Sequence, residues 1–217
     1  MNSLVKDLAR GLSINLEHEI GEVLPEGPKW LLKTRDSRLV GPFDWVVSTC
    51  PANQTQALFP TSFAEIGQVK LQACFALMLG FDTIPKTGWQ AAVFRDSCLN
   101  WGSWNNSKPG RSERPALVVL SDNDWADQQL ESGLNNVQAS MEVELQALTG
   151  LDPQTAAVSQ LHRWRFAKAS QPAGQPYLLD TERRLATCGD WCLGSRVESA
   201  FLSAAGLASR LRELIVR

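Results

Sequence analysis

The sequence has no apolar run long enough to cross a bilayer as a helix, and its first residues, MNSLVKDLARGL, lack the apolar centre of a secretory signal. It also lacks both glycine-rich turns that cradle phosphates at a helix start. Neither G-x-G-x-x-G nor G-x-x-x-x-G-K-[ST] occurs anywhere in the chain. Histidine is scarce, with 2 in all, and His18 and His162 lie far apart, which leaves no Ser-His-Asp set and no four-ligand zinc spacing. Cys50, Cys74, Cys98, Cys188 and Cys192 are odd in number and widely spaced, which is not a disulfide framework. They read as reduced thiols in a cytoplasmic protein with no bound metal. The net charge of -2 gives no electrostatic case for a nucleic-acid or membrane partner.

What is present is an ordinary globular composition. A chain of 217 residues with 44% hydrophobic and 20% charged residues can bury one large core or two small ones. Tryptophan stands out, at 8 against 1 tyrosine. Trp101, Trp104, Trp164 and Trp191 lie among Gly, Asn or Arg residues. Most such rings pack in a core, and some are expected to line a pocket.

Hydrophobic spacing predicts a helix over 3–12, then strands at 13–16, 20–24 and 30–33 separated by turn residues, a small antiparallel meander. A strand over 43–48 runs into Pro51, which suits the first turn of a helix. Residues 71–81 form a long apolar strand candidate, and 89–94, 99–104 and 116–121 continue a strand-rich middle. Asp122 or Asn123 can cap a helix running to about 131, and a second helix, 134–149, stops at Gly150. A strand at 158–166 and a final helix from Ser195 or Arg196 to Ile215 complete the chain. Strands and helices mix without strict βαβ repetition, so the class is α+β, or mixed α/β.

Three stretches bear on chemistry. In CGDWCLGSRVESAFLSAAGLA, Gly189 permits close backbone approach, Asp190 offers an acceptor for sugar or polyol hydroxyls, and Gly194 precedes a helix start. Free N–H groups around Arg196, Val197 and Glu198 suit a carbonyl oxygen or an anion. The small residues that follow keep the helix thin. The same pattern also describes a strand–turn–helix closure with no ligand, and the residues leave both readings open. WGSWNNSKPGR places Trp101, Asn105, Asn106 and Lys108 in a polar turn, which reads either as a hairpin connection or as a substrate contact. HRWRF puts His162, Trp164 and Phe166 on one face of a strand, with Arg163 and Arg165 opposite. One buried and one solvated face is the reading that alternation favours.

The first of these stretches resembles the C-terminal flavin-binding segment of renalase-like proteins, within the FAD-dependent amine oxidase superfamily. DWVVSTCPANQTQALF, CFALMLGF, LNWGSWNNSKPGR and HRWRFA are similar to further segments of that family, in its order. The resemblance implies a remnant of an FAD-binding domain with a meander at 1–50, a substrate-binding part at 51–180, and an FAD-binding strand–turn–helix at 181–217. It implies FAD as cofactor, with Gly189, Asp190, Gly194, Arg196, Val197 and Glu198 beside it and Trp101, Asn105 and Trp164 near a small reduced substrate, an amine or a dihydronicotinamide. Ala204, Ala205 and Gly206 stand where the family often has Ser-Gly, a mild departure. The larger departure is the absent glycine fingerprint, from which the chain is expected to start after the Rossmann βαβ unit. Three expectations follow: an FAD-dependent oxidoreductase, a non-catalytic binding module, or one part of a split enzyme. Exposed apolar surface would then drive self-association or pairing with a separate Rossmann-domain chain.

Overall fold

The computed structural model describes residues 2–215. In chain order the elements are α1 (Asn2–Leu8), β1 (Ile20–Glu26), β2 (Lys29–Thr34), β3 (Leu39–Phe43), β4 (Val46–Ser48), α2 (Ala52–Leu58), β5 (Lys70–Gly80), β6 (Ala91–Val93), β7 (Leu99–Trp104) and β8 (Ala116–Ser121). Then follow α3 (Asn123–Gln128), α4 (Leu134–Thr149), β9 (Val158–Gln171), β10 (Leu178–Asp180), β11 (Leu185–Thr187), α5 (Asp190–Leu193) and α6 (Val197–Ile215). The fold is mixed α/β with antiparallel-rich sheets and flanking helices.

The largest sheet has the order β6-β7-β8-β5-β9 and is antiparallel throughout. Alternation along β5 sends Ala73, Phe75, Leu77 and Leu79 to one face. There they meet Leu117 and Val119 of β8 and Leu99 of β7, all buried. Two helices close this core. Val137, Met141 and Leu145 of α4 recur every four residues and form its buried stripe. Gly150, at φ 70°, ends that helix in the left-handed conformation that glycine adopts without strain. Asp122 caps α3 by accepting from the Trp125 N–H. The opposite face of the sheet carries Cys74, Ala76 and Met78, paired with Trp164, His162 and Gln160 of β9.

A second, three-stranded sheet has the order β10-β11-β4. β11 runs antiparallel to β10 and parallel to β4. The carboxyl ends of β4 and β11 therefore lie side by side. Ser48 and Thr55 share a buried hydroxyl pair at 2.8 Å, which fixes the turn from β4 into α2. Buried Trp191 donates its indole N–H to the Cys50 carbonyl at 3.0 Å, joining the loops that leave the two strands. Ala52 and Ile66 share one buried cluster with Leu178, Trp191 and Cys192 of the C-terminal segment. α6 covers this sheet by packing Leu207 on Ala186 and Cys188. The third sheet, β1-β2-β3, is the meander, tied to the loop before β11 by a hydrogen bond from Trp30 to the Arg183 carbonyl.

Local differences from the sequence reading have physical causes. The first helix ends at Leu8, ahead of Gly11 at φ 80°. Residues 13–16 are not a strand, because no neighbouring strand pairs with them, and Leu12, Ile14 and Leu16 stand exposed. β10 is three residues long, too short to show a period of two. β9 continues to Gln171, past a bulge that interrupts its alternation.

Candidate functional site

The open face of the five-stranded sheet and the turn joining α5 to α6 enclose a cleft of about 930 Å³. On the sheet side, Trp164 and Phe166 form an aromatic wall, with Cys74, Leu120 and Ser121 beneath it. The facing side is Leu193, Gly194, Ser195, Arg196, Glu198, Ser199 and Leu202. Two irregularities shape the sheet side. In β7, Leu99 and Trp101 pair with Ser121 and Leu120, so Asn100 is an extra residue between them, and it lines the cleft. In β9 the pairing jumps from Cys74–Trp164 to Gln72–Lys168, which places Arg165, Phe166 and Ala167 opposite Ala73 alone.

The aromatic wall is solvated, contrary to the expectation that this face of the strand is buried. Trp164 is 55% and Phe166 39% exposed. β9 is the edge strand of its sheet, and the α3–α4 layer covers the opposite face. On that side Arg163 donates to the Leu130 carbonyl, and Arg165 pairs with Glu131 at 2.6 Å. The rings of His162 and Trp164 meet edge to face, with centroids 4.3 Å apart.

The facing turn is held by its backbone partners. The Ala169 N–H donates to Ser195 Oγ at 2.6 Å, and that hydroxyl lies 3.2 Å from the Ala169 carbonyl, so the turn is pinned to β9. The N–H groups of Ala173 and Gly174 donate to the carbonyls of Trp191 and Cys192. A smaller hollow of about 220 Å³ adjoins the cleft and shares Phe166, Lys168 and Ala169 with it. Its other lining residues are Thr49, Pro51, Leu71, Asp190 and Trp191. The cleft thus extends to the carboxyl ends of β4 and β11, the place where ligands sit on parallel strands.

The structure gathers most of the residues singled out from the sequence, though not all. Gly194, Arg196, Glu198 and Trp164 line the cleft, and Asp190 lines the adjoining hollow. Asp190 is half-buried at the first position of α5, and its Oδ1 accepts from the Trp191 N–H at 3.0 Å. Gly189 stands behind Trp191, and Val197 opens α6 with an exposed side chain. Trp101 and Asn105 do not line the cleft. Lys108 Nζ lies 5.6 Å from the Trp101 ring centroid, and Asn105 begins a single 3-10 turn. Asn100, Asn123, Lys168, Ser195 and Ser199 line the cleft unannounced. For Lys168 the only available signal is its place two residues beyond HRWRF.

All five cysteines are unpaired. Burial pushes the thiols of Cys98 and Cys192 up to about 11, and those of Cys74 and Cys188 upward as well. A thiol whose folded value lies above its unfolded value favours the folded state below the unfolded value, near 9.0. That contribution is lost as pH rises through the folded value. Stability is therefore expected to decline between pH 9.0 and about 11, followed by urea midpoints across that range. Iodoacetamide should label Cys192 at pH 8 only after denaturant is added. Among the described residues there is no group of three or more His, Cys, Asp or Glu side chains placed to hold a metal ion, and no helix long and apolar enough to cross a membrane.

No protein-family profile matches the chain. Solved structures do match. A protein from Exiguobacterium sp. 255-15 assigned as a protoporphyrinogen oxidase superposes with a TM-score of 0.74 at 17% identity, over 97% of this chain and 50% of its own. Putrescine oxidase bound to putrescine superposes with a TM-score of 0.65 at 13% identity, over 99% of this chain and 52% of its own. A variant of that oxidase from a redesign of its cofactor binding gives a TM-score of 0.66 at 12% identity. At these identities the likeness is one of fold, and the chain spans about half the length of each neighbour.

Proposed function

We propose that this chain supplies the flavin-facing part of an FAD-dependent oxidoreductase of the renalase and amine oxidase type. The observation that carries the reading is the cleft itself, with an uncovered aromatic pair facing the start of α6 beside the carboxyl ends of two parallel strands. Its volume lies in the range of small-molecule and cofactor sites, about 300–1,000 Å³. Trp164 and Phe166 present apolar surface that a flat ring would cover. Asn100 and Ser199 offer polar edges, and Lys168 and Arg196 bring positive charge suited to an anionic ring edge or a phosphate. The residues therefore fit the group.

FAD, when bound, supplies the two-electron acceptor. The chain's own part is positional. Trp164 and Phe166 would hold the flat ring and exclude water from one side. The turn at Gly194–Arg196, pinned through Ser195, would close the other. Asp190 would accept from a polyol hydroxyl. The substrate is a small reduced molecule, an amine or a dihydronicotinamide; the neighbour bound to putrescine supports an amine. The absent glycine fingerprint favours a second reading, a binding module without catalysis.

Denaturing the purified chain and titrating renatured protein with FAD tests the proposal. The expected result is saturable quenching of flavin fluorescence, by the chain alone or when it is joined to a dinucleotide-binding unit. FAD retained by neither form would remove the cofactor reading. FAD retained without turnover of amines or dihydronicotinamides would favour the binding module.

A further inference from the structure

We infer that the outward face of α6 is a self-association surface, on which a second copy of this chain packs its own α6 antiparallel about a two-fold axis at Ala205. The inner face of the helix is set by Ser203 and Leu207, which are buried, and by Leu211 and Leu214, which are half-buried. Helical periodicity puts Phe201, Ala205, Ala208 and Arg212 on the opposite side. That side is exposed, yet residues 199–209, about three turns, carry no charge. Val197, Phe201, Leu202 and Ile215 are each more than half exposed. A helix with one solvated face ordinarily places its charged residues there. An apolar outer face of this length calls for a second cover.

The face is complementary to itself. With Ala205 on the axis, Phe201 meets Ser209 and Leu202 meets Ala208 of the second copy, large over small, which lets the helices approach to about 8–9 Å. The same register lays Ile215 of each copy over the start of the other's α6, where Val197 is exposed. Charge decides the direction. The face carries Glu198 near one end and Arg212 near the other, and among the described residues neither has an ion-pair partner. Antiparallel packing sets Glu198 of each copy against Arg212 of the other, two ion pairs from one symmetry. Parallel packing would set like against like, and would align the helix dipoles unfavourably as well. The 19-residue helix is about 28 Å long and about 10 Å across. Two such faces bury on the order of 1,000 Å² together, the low end for a specific interface. The dimer is accordingly weak, with a Kd of about 10 μM. Glu198 and Leu202 also line the cleft, so Arg212 of each copy comes to the mouth of the other's cleft. The pairing does not depend on what that cleft binds.

Sedimentation velocity of the purified chain, without added FAD, tests the pairing. Between about 1 and 200 μM the chain should pass from monomer to dimer, with its midpoint near 10 μM. Ala205→Glu puts two carboxylates on the axis and should weaken the dimer by about a hundredfold. Because Ala205 is exposed, the melting temperature of the dilute variant should stay that of the parent. Glu198→Arg and Arg212→Glu bring like charges together at both ends, and each alone should weaken the dimer about tenfold at low salt. Mixed one to one, these two variants should recover the parent's dimer, since opposite charges then meet at both contacts. A chain that stays monomeric at every concentration would overturn the inference and leave the face to another polypeptide. A dimer untouched by Ala205→Glu would overturn it too, and would move the contact elsewhere, for instance to the exposed Leu4, Leu8 and Leu12. So would a charge-reversed mixture no tighter than either variant alone.

Discussion

Replacing Gly189 by alanine is expected to lower stability by about 2 kcal/mol and the melting temperature by about 6 °C. The cause is space and not dihedral angle, since Gly189 sits at φ 168°, an extended conformation open to any residue. A Cβ there would fall 2.7 Å from Nε1 and 2.9 Å from Cδ1 of Trp191. The ring has no room to retreat. It is 2% exposed, packed among Ala52, Ile66, Leu178 and Cys192, and held by its bond to the Cys50 carbonyl. The backbone at 189 is held as well, by donation from its N–H to buried Ser203 Oγ at 3.0 Å. Relief must come by shifting Trp191, which loosens its hydrogen bond between the loops leaving β4 and β11. Gly67→Ala is the control, because a Cβ there meets nothing within 4 Å. Thermal unfolding of the two variants decides the matter. Equal melting temperatures would mean that the Trp191 ring is not fixed as described.

The elements with long periodic patterns were legible in the sequence. β7, β8 and α4 fall where hydrophobic spacing and turn residues place them, and α6 runs to Ile215 as its apolar stripe implies. Gly150 and Asp122 act as the stop and the cap that their residue types suggest. What stayed hidden depends on pairing, which no local window contains. β10 exists because β11 offers it an edge, and the place of β11 is set by β4, about 140 residues earlier. The site shows the same division. Gly194, Arg196 and Glu198 follow from a glycine before a helix start. Asn100 and Trp101 exchange roles through one bulge residue, which turns the asparagine into the cleft and leaves the tryptophan beside Lys108. A register shift of one position is enough to move a side chain out of a site, and here it separates an expected contact from an actual one.

Phe166→Ala and Trp164→Ala should each weaken FAD retention by about tenfold and together by about a hundredfold, with little loss of fold stability. The two halves of this expectation come from the same observation. A ring that is 39% or 55% exposed contributes little to the hydrophobic core of the free protein, so truncating it leaves a small transfer cost and no closed cavity. Covering the ring with a flat ligand would remove that surface from water, and the truncated variants forfeit the gain. Phe166 is the more central of the two, because it borders both the cleft and the hollow that reaches Asp190. Trp164 is already in contact with the His162 ring. The measurements are flavin fluorescence quenching by the FAD-retaining form and urea midpoints of the free chain. A fall in the urea midpoint as large as that of Gly189→Ala would make these rings part of the core. Unchanged FAD affinity in the double variant would place the flat ring elsewhere. The conservative variants Phe166→Leu and Trp164→Phe separate area from stacking, since leucine restores apolar cover without a π-face and should recover only part of the affinity.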